Sequence, residues 1–320
     1  MNLKPTLAGL WAAVLAAVVA AAIGSPEVRA LQPVRTGEVI VAAVDQNGAF
    51  QEAMRVALVR ITGRRDADQD PALAPLIADA RRFVQIFRPA PGGSGTLVTL
   101  DAAAIERAVT AAGRGTWPRE RPVALVVILQ APPGADAAAV RRAIEDTASH
   151  RGLPVVLASA QSAGLGVASE GDAALSAARR LGADVALVGQ ADPGDASLWR
   201  WTYFGVGTTE SFSGAVSSGV HGTADRLAAA TEATLQRPEQ DALVQVSGVA
   251  SLRDYAQVSR LLASSTGVRS VTLLESSNGV AVYRVLARGG GDGLAAALAA
   301  HARLLPATDA SGRLAYQFQP

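Results

Sequence analysis

The residues whose types and spacing suggest chemistry begin with Gly113-Arg-Gly-Thr-Trp-Pro-Arg-Glu-Arg-Pro122. Arg114, Arg119 and Arg121 surround Trp117 there, and planar guanidinium forks of this kind bind carboxylate or phosphate groups. Glycine and proline are equally natural in a linker pinned by the tryptophan, its arginines paired to nearby acids. A second cluster alternates along one stretch, where Trp199, Trp201 and Tyr203 place three large rings on one face of a strand. Exposed, such rings stack on a glycan or grip a partner. Buried, they are core under a covering helix.

Other chemistries fail on spacing. His150, His221 and His301 lie far apart, without the helical pairing that zinc sites use. His150 and His301 sit late in their helices, where a cation complements the dipole. Asp66-Ala-Asp68-Gln-Asp70 begins like a calcium loop, but the sixth position is Pro71 instead of glycine and the twelfth is Ile77 instead of glutamate. Gly289-Gly-Gly-Asp-Gly293 precedes a helix as a phosphate cradle does. Leu294 breaks the dinucleotide pattern and Asp292 repels an anion, so a loop ending in an N-cap is the better reading.

Composition removes further classes. There is no cysteine, which excludes disulfides, thiolate catalysis and a lipidated cysteine. The only lysine is Lys4, which leaves no Schiff-base, phosphate-loop or Ser-Lys chemistry downstream of it. No Gly-x-Ser-x-Gly elbow occurs, although a triad assembled from distant residues stays open. The chain carries 29 basic and 28 acidic residues, and the part after residue 30 is balanced. Such a chain has no global field to attract nucleic acid or anionic lipid.

Residues 1–30 have the parts of a secretory signal peptide: Lys4, the apolar run Leu7 to Ile23, and Val28-Arg29-Ala30. The expected compartment is the periplasm, with the mature chain starting near Leu31. The alternative is an inner-membrane anchor formed by residues 7–23 if the signal is not cleaved, a marginal length for spanning.

The elements that must position these residues fall into three segments, giving a mixed α/β, α+β protein. An N-terminal α+β domain is expected over 31–115, with strands at 38–44, 84–88 and 96–100. Its helices are capped by Gly63, Asp70 and Asp101. An α/β middle domain with a mostly parallel sheet follows over 120–236, on the apolar runs 123–129, 153–158 and 184–189. A hairpin is expected at 198–212 and a closing helix at 220–235. The third domain, 240–320, reads strand 243–249, helix 251–264, a hairpin around Asn278-Gly279, helix 294–304 and strand 314–318. That order is a ferredoxin-like βαββαβ sandwich.

The stretches Arg60-Ile-Thr-Gly63, Arg81-Arg-Phe-Val-Gln-Ile-Phe-Arg88, Arg121-Pro-Val-Ala-Leu-Val-Val127, Arg151-Gly-Leu-Pro-Val-Val-Leu157 and Leu181-Gly-Ala-Asp-Val-Ala-Leu-Val-Gly189 carry a resemblance. So do Trp117, Trp199-Arg-Trp201 and Gly222-Thr-Ala-Asp-Arg-Leu227. Together they resemble the bacterial exported family catalogued as domain of unknown function 2066, over about residues 35–250. The middle segment is also distantly similar to amino-terminal domains of periplasmic Tol-type and flagellar-ring assembly proteins. The resemblance implies an envelope protein with no established catalytic residues. The expected function is a non-catalytic adaptor or assembly factor of the cell envelope, without cofactor or metal, binding an envelope protein through Trp117, Arg114, Arg119, Arg121 and Trp199, Trp201, Tyr203. A periplasmic glycan or small-ligand binder and a hydrolase with a non-contiguous site are the alternatives.

Overall fold

A computed structural model describes residues 34–42, 45–91, 95–132, 134–166, 171–205, 207–298, 303–307 and 313–319. The expected signal peptide or anchor, and His301, lie outside the described residues. Leu31–Pro320 forms one unit. Within it the described residues make three sheets and nine α-helices, a mixed α/β architecture in which each sheet has its own core.

The first segment holds β1 (Glu38–Val41), α1 (Gln46–Thr62), α2 (Ala74–Ala78), β2 (Val84–Pro89), β3 (Thr96–Leu100) and α3 (Ala102–Ala111). The strands pair antiparallel in the order β1-β3-β2. Alternation along them sends Val39, Val41, Val98 and Leu100 against α1. The opposite face stays open, with Ile40 59% and Ile86 46% exposed. Asp101 caps α3 by accepting the amide of Ala104 at 3.0 Å. Asp70 does not open a helix as expected, because α2 starts only at Ala74. Its buried carboxylate accepts the amide of Ala72 at 3.0 Å and is shared with two arginines.

The middle segment runs β4 (Ala124–Gln130), α4 (Ala137–Arg151), β5 (Val155–Ser159), α5 (Ala160–Ala163), α6 (Gly171–Arg180), β6 (Val185–Ala191), β7 (Trp199–Gly205), β8 (Thr208–Gly214) and α7 (Val216–Leu235). The order is β5-β4-β6-β7-β8, with β5, β4 and β6 parallel and the β7–β8 hairpin antiparallel. Parallel neighbours need crossovers, which α4 and the α5–α6 pair supply. Both faces are therefore covered. Leu125, Val127 and Ala186 pack with α5 and α6, while Val126, Leu187 and Trp201 pack with α4 and α7.

Trp199, Trp201 and Tyr203 belong to that second core, at 3%, 0% and 7% exposure. Trp201 sits opposite Gly189 on β6 and beneath Gly219 of α7. A Cβ at either glycine would lie 2.4 Å from the indole, so both positions are glycine because the ring occupies the space. The aromatic face is thus core under α7, as the buried alternative had it, and is closed to a glycan or partner.

The third segment comprises β9 (Glu239–Ser247), α8 (Leu252–Ser264), β10 (Val268–Ser277), β11 (Val280–Arg288), α9 (Gly290–Leu298), β12 (Leu304–Ala307) and β13 (Leu314–Phe318). Ser251 and Asp254 cap α8 reciprocally. Asn278 and Gly279, both at positive φ, make the β10–β11 turn. Sheet order is β10-β11-β9-β13-β12, with β13 parallel to β9. The split sandwich therefore gains a strand: β12 forms where the helix was expected to end, and β13 returns between it and β9. The glycine run read as a loop is instead the first turn of α9.

Candidate functional site

The residues singled out by type meet where the first two segments join. Helix α1 ends at Thr62 and α4 at Arg151, each closed by a left-handed glycine, Gly63 and Gly152. A helix end leaves carbonyls without intrahelical partners and carries the negative end of the dipole. Arg121, only 1% exposed, fills the space between these two ends. Its Nε donates to Pro118 O at 2.8 Å, Nη1 to Gly152 O at 2.7 Å and Nη2 to Arg60 O at 2.5 Å. The guanidinium carbon lies 3.9 Å from the Trp117 ring centre. Trp117 is buried as well, its amide donating to Ile61 O.

Two more arginines complete the junction. Arg60 donates from Nε to Ser149 O at 2.8 Å and from Nη1 to Glu38 O at 2.6 Å. Arg151, fully buried, donates from Nη2 to Gly63 O at 2.7 Å and to Asp225 Oδ1 at 2.6 Å. Asp225 also pairs with Arg65 at 2.7 Å. Main-chain oxygens thus take most of the load from three buried cations. Burial lowers Arg121 to about 9 and Arg60 to about 10, with the other guanidiniums adding to the effect on Arg121.

The histidines follow the same field. His221 is lowered to about 4 by burial and then by Arg65 and Arg151. Its Nδ1 lies 3.2 Å from Arg151 Nη1, and since arginine only donates, Nδ1 accepts and the proton is on Nε2. His150 is exposed in the last turn of α4, as expected, and is shifted downward by desolvation, Arg60 and Arg151. The buried guanidiniums beside it disfavour a further charge.

The remaining linker arginines are paired too. Arg114 forms a fork on Asp70, Nε at 2.6 Å and Nη2 at 2.9 Å, and Arg64 adds a third bond at 2.9 Å. Arg114 then holds the Asp70 carboxyl well below the ordinary carboxylate range. Arg119 donates to Glu106 at 2.8 Å. The forks are therefore occupied by the protein itself and not held open for an external carboxylate or phosphate, in line with a linker whose arginines pair with nearby acids. Sequence reasoning missed Arg60, Arg151, Asp225 and His221 as members. The available signal was an arginine in the last turn before a terminating glycine, occurring in both α1 and α4.

Two clefts flank the junction. One, of about 680 Å³, lies between the loop after α1, the Gly113–Trp117 stretch and α7. The other, of about 500 Å³, lies between the middle segment and the ends of α8 and α9, with Asp184 and Tyr203 in its walls. Asp184 accepts the amide of Val123 at 2.8 Å. Burial pushes its carboxyl up to about 7. Among the described residues no group of three or more His, Asp or Glu is placed to hold a metal, and no helix is long and apolar enough to cross a membrane.

The model of a domain of unknown function (DUF8605) matches residues 30–118 of this chain. That is a different family from domain of unknown function 2066, and the match overturns the resemblance drawn from the sequence. The stretches that carried the resemblance are largely helix ends and buried strands, whose composition any covered α/β sheet demands. No curated protein and no solved structure matches the chain.

Proposed function

We propose that this chain is an exported, periplasmic protein acting as a non-catalytic adaptor or assembly factor of the bacterial cell envelope. The observation that carries this reading is the arginine junction. Its guanidiniums, Trp117 and the partly buried His221 are committed to joining two segments, which makes the most chemically capable residues a structural joint. A joint of that kind fixes the relative placement of two sheets, which suits a protein that holds partners in register. The first sheet presents Ile40 and Ile86 on an uncovered face, and Leu243 is exposed on β9 of the third. The leader-like residues 1–30 support export, and the family match begins at residue 30, where that leader is expected to end.

The test is in-cell photo-crosslinking, with the reactive residue placed at Ile40, Ile86 or Leu243 and, as control, at exposed Arg142 of α4. A discrete adduct with one envelope protein from the apolar positions, absent from position 142, is the expected result. Adducts no different from the control at all three positions would overturn the reading.

A further inference from the structure

The cleft beside Asp184 differs from the junction because several of its hydroxyls spend their protons on helix carbonyls. On α7, Thr231 and Thr234 donate their hydroxyl protons to Leu227 O and Ala230 O, each at 2.9 Å. At the end of α8, Ser264 likewise donates to Leu261 O at 3.1 Å. Each hydroxyl thereby turns lone pairs, and no proton, toward a ligand. The strongest donors at the rim are already engaged. Arg226 binds Glu210 at 2.7 Å and Gly222 O at 3.0 Å, and Arg121 is held by the main-chain oxygens of the junction.

Asp184 adds a carboxyl with one oxygen on the Val123 amide and, among the described residues, no cation within ion-pair distance. The other charged or titratable groups around the cleft are Glu120, Arg121, Tyr203, Glu210 and Arg226, and the wall from α8 and α9 offers only hydroxyls and methyl groups. Val185, Leu227 and the alanines of α7 and α9 make much of the surface apolar. An acceptor-rich, partly apolar cleft of about 500 Å³ has the size of a small-molecule site.

We propose that this cleft binds a small organic cation, a primary amine on an apolar body, with its ammonium on the Asp184 carboxylate and the α7 and α8 hydroxyls. An ammonium brings three donors and no acceptor, the complement of this wall. Phosphates and carboxylates bring only acceptors, which match neither the Asp184 carboxylate nor the helix hydroxyls beside it. Because burial holds the carboxyl at about 7 in the empty cleft, amine binding must first remove its proton. Affinity should then rise about tenfold per pH unit below 7 and level off above it.

The test is calorimetric titration of the full chain with hexylamine, hexanol and hexanoate at pH 5.5, 6.5 and 8. Binding of hexylamine alone, strengthening with pH, is the expected result. Asp184→Asn keeps an oxygen for the Val123 amide while removing the charge, and should weaken hexylamine at pH 8 at least tenfold and abolish the pH trend. Hexanol binding as tightly as hexylamine would overturn the proposal without recourse to any variant. So would no heat from hexylamine, or an Asp184→Asn protein that binds it unchanged.

Discussion

Replacing Arg121 by Met keeps most of the aliphatic volume and removes every donor. The wild-type guanidinium bears a desolvation cost, seen in its fall from the ordinary 12.5 to about 9. At about 1.4 kcal/mol per pH unit, that cost is on the order of 5 kcal/mol. Against it stand three short charge-assisted bonds, each contributing about 1.5–3 kcal/mol, and the contact with Trp117, about 1–2 kcal/mol. The favourable side, about 5–11 kcal/mol, equals or exceeds that cost, so the net gain from the cation is smaller than its bonds alone suggest. Its removal is a different matter, because the carbonyls of Pro118, Gly152 and Arg60 remain buried without a donor. At about 1–2 kcal/mol for each of three stranded acceptors, Arg121→Met should lose about 3–6 kcal/mol. Arg121→Lys should lose somewhat less, since a single ammonium cannot span oxygens from 118, 152 and 60 at once. The assay is urea unfolding followed by tryptophan fluorescence, with Trp117 in the junction itself and Trp199 and Trp201 in the adjoining core. A Met variant within about 0.5 kcal/mol of wild type, with an unchanged denaturant slope, would refute the reasoning.

Gly189→Ala and Gly219→Ala each drive a methyl into Trp201 and should cost about 1–3 kcal/mol or more by overpacking, read as a lowered unfolding midpoint in the same titration. Asp184 titrates near 7 when folded against an ordinary 3.8, so the folded state holds its proton longer. Its contribution is therefore fully present below about pH 4 and lost as pH rises through 7, a change of roughly 4 kcal/mol. Asp184→Asn should stabilise the protein at pH 8 and leave it unchanged near pH 4; equal effects at both would contradict that sign. Asp70 runs the other way: its depressed pKa gives stability that is present above the ordinary carboxylate range and fades as pH falls. Arg114→Ala should move the acid-unfolding midpoint to higher pH, and an unmoved midpoint would count against the fork.

Local signals carried most of the fold. Gly63, Asp101, Asp136, Ser251 and Asn278-Gly279 end or begin elements where their backbone chemistry requires, because caps and turns act over a few residues. The unbroken apolar runs marked the covered parallel strands for the same reason. What was not legible depended on distant partners. Asp70 looks like a helix cap until Arg114, far along the chain, takes its carboxylate. Arg60 and Arg151 look like solvated last-turn cations until the helix ends are brought together. Strand β12 hid in an alanine-rich stretch of high helix propensity. Its Pro306 is tolerated because the strand lies at the sheet edge. The aromatic stripe was ambiguous in kind: alternation places rings on one face, and only the position of α7 decides whether that face is wet.

The family-matched region stops at residue 118, between Trp117 and the arginine that rests on it. A boundary drawn from sequence similarity there would cut the molecule through its own fastener. The piece 30–118 would keep the socket, formed by the end of α1 and the indole of Trp117, and lose both Arg121 and the end of α4. A fragment chosen for study should instead run past Gly152, or through α7 to retain Asp225 as well. The unit matched by sequence similarity and the unit closed by physics have different ends in this chain, and the linker belongs to the second.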